Sequence, residues 1–399
     1  MNDRSTAVSR SPAADSRLPL VQFVERPGII DLGWGHPDPA LLPVEQLRLA
    51  ADRVLAQDGA DALNYGHAAG PGPFREWVAE RLAAIDARGP EPASIVASAG
   101  NSQALDQVVS LLASPGDIVL VEDPTYHLAV RILRDHPVEL VPIPADERGL
   151  DTDVLGDTLD SLRRAGRRVR LLYTVPTFHN PTGVSLAPER RHALVRLASR
   201  DGFTIIEDDA YRELSYDGPA PGSLWSIAPD GLVVRLVSFA KSLAPGLRVG
   251  AIVSDVPFAR RVADSGVLDS GGGISHFASL VVAECGRSGM YGANVERLCG
   301  AYRDRRDALV ASLERVLGPA ASLIQPAGGY FVWVMLRGID AGALLATAEA
   351  LGTSFVPGEV FHLAQGSTTS LRLAFSRYAP AALAEAAERL GRAAETTRV

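Results

Sequence analysis

The stretch SFAKSLAPGLRVG, residues 238–250, contains the only lysine of the chain, Lys241. Lys and Arg together number 39, so every other one is arginine. A composition rich in Ala, Gly, Pro and Arg explains the scarcity of lysine but not the survival of one. Arginine stays protonated, whereas a buried lysine can shed its proton and become a nucleophilic amine. Such an amine forms a Schiff base, with a carbonyl substrate or with pyridoxal 5'-phosphate. If Lys241 holds pyridoxal phosphate, that cofactor makes demands which other residues must meet.

A carboxylate must keep the pyridine nitrogen protonated. Asp208, near the end of TIIEDDAY (204–211), is placed for this. Its neighbour Asp209 points to the opposite face of an extended chain and reads as a helix cap or a surface ion pair. Asn180 in FHNPTG (178–183) and Tyr211 can hydrogen-bond the ring hydroxyl. The phosphate needs amide and hydroxyl donors, preferably at a helix start. Gly100 turns the chain there, Asn101 and Ser102 open a helix, and Ser238 and Arg248 add a hydroxyl and a guanidinium fork. Asn101 and Ser102 also suit ordinary N-caps. Tyr126 in EDPTYH (122–127) is placed to stack on the ring. Arg372, between Leu371 and Leu373 in SLRLAFS (370–376), can take a substrate carboxylate bidentately and reads as lying on the polar side of an alternating strand.

These residues are far apart in sequence, so the fold must gather them. Short apolar runs at 94–100, 117–124, 168–176, 203–211, 232–241 and 250–254 read as buried strands of a largely parallel sheet. The stretches between them are long enough for helical crossovers, which makes the architecture α/β. In such a sheet ligands bind beyond the carboxyl ends of the strands, and the polar residues named above sit at those ends. After residue 290 the pattern changes to a helix over 293–318, strands at 328–336 and 370–376, and an Ala-rich final helix. The expected division is an N-terminal segment of a small domain (1–45), a large cofactor-binding domain with helices on both sides of its sheet (46–290), and a small α+β C-terminal domain (291–399). A helix over 41–57 enters the large domain.

A net charge of −8 and the lack of a basic stripe argue against a nucleic-acid partner. The two cysteines, Cys285 and Cys299, form no CxxC pair, so neither a disulfide framework nor a metal site is expected. No apolar run reaches membrane-spanning length and the first residues carry no apolar signal core, so a cytoplasmic protein is expected. A nucleotide-binding reading lacks a GxGxxG or P-loop after the first strand.

With these residues assembled, the chain resembles the fold type I pyridoxal-phosphate enzymes, specifically class I/II aminotransferases of the kynurenine/2-aminoadipate branch. The segments NYGHAAGPGPFRE, NSQALD, EDPTYH, HNPTG, DDAY, SFAKSLAPGLRVG, GGYFVWV and LRLAFS carry the resemblance, in order, over nearly the whole chain. It implies transfer of an amino group from an L-amino acid to a 2-oxo acid in two half-reactions. It implies Lys241 as Schiff-base lysine and proton carrier, Asp208 and Tyr126 as its catalytic partners, and Arg372 as carboxylate anchor beside Asn180. It also implies a homodimer in which Tyr65 reaches the partner's phosphate and SGGGISH (270–276) approaches the partner's site. DLGWGHPDPALLP (31–43) would cover the substrate, with Gly35 contributing backbone and Trp34 shaping the pocket. Trp34 stands where the branch often has a small residue, and Ala240 where a serine is common. Arg17, in the N-terminal segment, reads as solvated rather than as a ligand for a distal carboxylate. His36, His67, His127 and His179 read as turn or supporting residues. Elimination or cyclisation on the same cofactor, and an amino-acid-sensing binding protein, are the alternatives.

Overall fold

A computed structural model describes residues 25–86, 88–363 and 367–397. After a two-residue strand β1 (Ile30–Asp31), eight strands form the main sheet. They are β2 (Ile95–Ser98), β3 (Ile118–Asp123), β4 (Glu139–Asp146), β5 (Gly149–Leu150), β6 (Val169–Thr174), β7 (Thr204–Asp209), β8 (Val233–Ser238) and β9 (Gly250–Val253), in the spatial order β2-β9-β8-β7-β6-β3-β4-β5. The ladders from β4 through β3, β6 and β7 to β8 are parallel, whereas β9 runs antiparallel to both β8 and β2. The carboxyl ends of β6, β7 and β8 therefore lie side by side.

Alternation within each strand decides what faces where. Ile206, Leu171, Tyr173 and Leu236 belong to one buried cluster, while Ile205, Leu172, Val233 and Ala251 belong to another on the opposite face of the sheet. Helices cover both faces, so both parities are apolar and the strands read as unbroken hydrophobic runs. Truncating one such side chain, for example Ile206→Ala, should cost about 2–5 kcal/mol. The same parity puts Asp208 on the face of Tyr173 and Asp209 on the face of Ile205. β4 was not among the expected strands. Its residues are partly exposed and include Pro142 and Pro144, as suits a strand near the sheet edge.

A second sheet, order β10-β11-β14-β13, comprises β10 (Ala321–Leu323), β11 (Phe331–Leu336), β13 (Val356–Pro357) and β14 (Ser370–Ala374), and β12 (Thr353–Ser354) pairs in parallel with β1. A 28-residue helix, Met290–Leu317, packs along the C-terminal helix Pro380–Thr397 behind it. All five residues of β14 are buried. Arg372 is thus not on a solvated face, contrary to the alternating pattern expected. β14 is flanked by β11 and β13, and aromatic rings cover the guanidinium. Among the described residues no helix is long and apolar enough to cross a membrane.

Candidate active site

A cavity of about 600 Å³ opens beyond the carboxyl ends of β6, β7 and β8. Lys241, three residues past β8, lies in its wall, and its Nζ donates to the Gly35 carbonyl at 2.9 Å. The Lys241 carbonyl accepts from the Tyr330 hydroxyl at 3.0 Å, which holds the lysine's backbone in place. Burial lowers the Lys241 amine to about 8; the Arg372 and Arg248 charges add to this and Asp208 opposes it. Gly35 leaves room for Phe331: an added Cβ would lie 2.7 Å from Cζ of that ring, which would have to shift.

The adjacent aspartates of β7 have different partners. Asp208 Oδ2 accepts from the Tyr173 hydroxyl at 2.7 Å, and Oδ1 accepts from Asn101 Nδ2 at 2.5 Å. Burial raises the Asp208 carboxyl, with these two hydrogen bonds working against it. Asp209, on the other face, accepts from Arg235 Nη2 at 2.5 Å and Nε at 2.8 Å. Arg235 reaches on to Asp86 at 2.6 Å, and Arg212 joins Asp86 at 2.8 Å. The Asp209 pair is fully buried, not the surface pair expected, because parity turns Asp209 into the covered side of the sheet.

Gly100, at φ +85°, turns the chain into the helix Asn101–Leu112 and is its N-cap. An added Cβ at Gly100 would sit 2.8 Å from Nη2 of Arg248, so the glycine makes room for that guanidinium. Arg248 Nη2 donates to the Ala99 carbonyl at 3.0 Å. Ser238 Oγ accepts from the Ala240 amide at 3.2 Å, which leaves its hydroxyl proton to donate. Ser102, Ser238 and Arg248 line the cavity beside the helix start. Together they form an anion cradle. The Asn101 side chain is not part of it: its amide donates to Asp208 and to the Leu236 carbonyl at 3.1 Å. Ala240 lines the cavity without a hydroxyl.

Arg372 enters from the small sheet. Its Nη1 donates to Asn180 Oδ1 at 2.9 Å and its Nη2 to the Gly33 carbonyl at 2.6 Å. Its guanidinium carbon lies 4.3 Å from the Phe331 ring centre and 4.8 Å from that of Phe361. Burial lowers the guanidinium to about 10. Asn180 is also the hydrogen-bond partner of Tyr211, whose phenol burial pushes far above its ordinary value. Tyr126 lines the cavity, and burial and then the Asp208 charge raise its phenol to about 12.

Tyr65 and Trp34 are not in the cavity wall. Tyr65 is 84% exposed and does not line its own chain's Lys241 cavity. Trp34 instead donates from Nε1 to Asp31 at 3.0 Å and packs 5.5 Å from the His36 ring. His36 and His127 line the cavity directly rather than merely supporting it. Burial, and the nearby Arg372 and Arg131, lower His127 to about 4. His67 accepts from the Ala69 amide in a turn, and His179 pairs with buried Glu122 at 3.1 Å. Arg17 lies outside the described residues. Sequence reasoning missed Tyr173, Gly33, Phe331 and Phe361. A polar-tipped ring in the otherwise aliphatic run LLYTV was the available signal for Tyr173; contacts of the other three cross between distant elements. Among the described residues no cluster of metal ligands is present.

The sequence matches the family model described as aminotransferase class I and II over residues 27–390. The chain belongs to the class I and II aminotransferases. It is 34% identical to aromatic-amino-acid aminotransferase 1 of Thermococcus litoralis over 372 residues, covering 90% of this chain and 86% of that one. The kynurenine aminotransferase of Pyrococcus horikoshii, solved with pyridoxamine phosphate, superposes with a TM-score of 0.87 at 32% identity, over 92% of this chain and 91% of that one. The α-aminoadipate aminotransferase of Thermus thermophilus, solved with N-(5'-phosphopyridoxyl)-L-leucine, gives 0.83 at 32% identity over 93% of each chain. The aminotransferase is a pyridoxal-phosphate enzyme of fold type I that moves amino groups between amino acids and 2-oxo acids. Its site fits that cofactor on physical grounds. A buried carboxylate held by neutral donors alone suits a cationic ring nitrogen, the glycine-opened cradle suits a phosphate, and the depressed amine suits imine chemistry.

Proposed function

We propose that Lys241 is both the covalent holder of the cofactor and the proton-moving base of this aminotransferase, with Arg372 fixing the substrate's α-carboxylate. The observation that carries this reading is the placement of the chain's one lysine, its amine lowered to about 8, in a cavity also walled by Asp208 and Arg372. Pyridoxal phosphate, when bound, supplies the electron-withdrawing ring that makes the substrate's α-proton acidic. Asp208 would hold that ring's nitrogen, Asn180 and Tyr211 its hydroxyl, and Tyr126 its face. Ser102, Ser238, Arg248 and the amides after Gly100 would hold the phosphate. The Arg372 fork would donate to the α-carboxylate in place of its present acceptors and so orient the α-carbon toward Lys241. Lys241 Nζ, lowered to about 8 and so partly neutral near pH 8, would take the α-proton and later return it.

The donor side chain meets Leu128, Val356, Phe331 and Pro37 in the cavity wall. Those walls favour apolar and aromatic donors over dicarboxylic ones. A homodimer accounts for the exposure of Tyr65, Leu63 (69%) and Val267 (76%). The division at residues 45 and 290 and a cytoplasmic location complete the reading; pairing of β1 with β12 supports assigning the N-terminal segment to the small domain, and two free thiols suit a reducing compartment.

Mixing holoenzyme with a panel of amino acids, without any 2-oxo acid, tests this directly. One equivalent of 2-oxo acid per site and no ammonia supports it. Continuous ammonia release would replace it with elimination.

A further inference from the structure

Tyr173 is the one aromatic residue of β6, and none of its surface is exposed. Its ring belongs to a buried hydrophobic cluster, a place phenylalanine would fill without having to desolvate a hydroxyl. The hydroxyl has a specific use: it donates to Asp208 Oδ2 at 2.7 Å. The other Asp208 oxygen takes Asn101 Nδ2, itself braced on the Leu236 carbonyl. Two donors from two different elements therefore define the plane of this carboxylate, and among the described residues no cation pairs with it.

We propose that Tyr173 is a positioning residue for the cofactor, its phenol locking the Asp208 carboxylate in the orientation that meets the ring nitrogen. This role rests on the reading of Asp208 given above. Tyr173 remains a donor at any working pH, because burial and then the Asp208 charge hold its phenol well above its ordinary range. The main influences on the Asp208 carboxyl are burial, which raises it, Tyr173 and Asn101, which lower it, Asp209, which raises it, and Lys241, which lowers it. Removing the phenol leaves a carboxyl that is both less fixed and less readily ionised, and so a poorer partner for a protonated ring nitrogen.

The test compares wild type, Tyr173→Phe and Asp208→Asn by equilibrium dialysis of the apoprotein with pyridoxal phosphate, and by pH titration of the bound cofactor's visible absorbance. Tyr173→Phe keeps the ring and should weaken cofactor binding about tenfold. Its titration midpoint should move in the same direction as that of Asp208→Asn, by less. Should Tyr173→Phe fail to fold, 3-fluorotyrosine at position 173, a stronger donor of the same shape, should move the midpoint the opposite way. Wild-type binding and midpoint in Tyr173→Phe, or no shift with fluorotyrosine, would overturn the role of Tyr173 while Asp208→Asn still shifts. Wild-type behaviour of Asp208→Asn would overturn the reading of Asp208 and Tyr173 together.

Discussion

Asp208 and Asp209 are neighbours on one strand, both buried, yet the two sides of the sheet treat them differently. On the core-network side, Asp209 is neutralised by Arg235, which also bridges to Asp86, where Arg212 joins. On the cavity side, the partners of Asp208 among the described residues are a phenol and an amide. A buried anion whose charge is already matched serves the fold. One whose geometry is fixed but whose charge is unmatched is prepared for a cationic ligand. Residue type alone cannot separate the two; the identity of the partners does.

The largest expected effect lies on the cavity side. Lys241→Ala should lower transamination by at least about 10³-fold, measured as 2-oxo acid formation, without unfolding the chain. Arg372→Met comes next. Losing a buried charge-assisted fork should reduce kcat/KM by roughly 10²-fold or more, and leaves cofactor absorbance in place. The comparison sharpens with a crossed pair of variants. Arg235→Met strands Asp209 and Asp86, and should destabilise the protein by about 3–5 kcal/mol in denaturant titration. Asp208→Asn should leave stability nearly unchanged yet reduce kcat/KM by roughly 10²-fold. Equal effects of both variants on both measurements would erase the distinction.

The smallest effect is the pH dependence of the apoprotein. Lys241 is lowered to about 8 in the folded chain, against about 10.4 unfolded. Between these values the unfolded state binds more protons, so stability from this group rises with pH. Below about pH 8 both states hold the proton and the contribution levels off at its least favourable value. Thermal midpoints of the apoprotein and Lys241→Met, compared from about pH 7 to 10.5, should differ by a constant amount below about pH 8, and the wild-type midpoint should rise relative to the variant's above it.

Much of the cavity side was legible from sequence because polar residues concentrate at or beyond the ends of the apolar strand runs. Lys241, Asp208, Asn180, Tyr211 and Arg248 all stand at or just past such ends, and the α/β order brings those ends together. What was not legible depends on packing between elements far apart in sequence. Arg372 read as a carboxylate anchor on the polar side of an alternating strand; that this side is buried depends on the rings of Phe331 and Phe361, from other segments, which cover it. Asn101 read as a cap or phosphate ligand because a helix start allows both, and its turn toward Asp208 depends on the neighbouring strands. Tyr173 lay hidden within an apolar run. β4 escaped because an edge strand with two prolines lacks the pattern of a buried one.

The central claim is that a single ε-amino group carries the cofactor. Borohydride reduction of the loaded enzyme, followed by peptide mapping, measures this most directly. The account predicts one pyridoxyl group per chain, located on Lys241. A pyridoxyl group on the N-terminus, or a fully loaded sample that yields no labelled peptide, would contradict it.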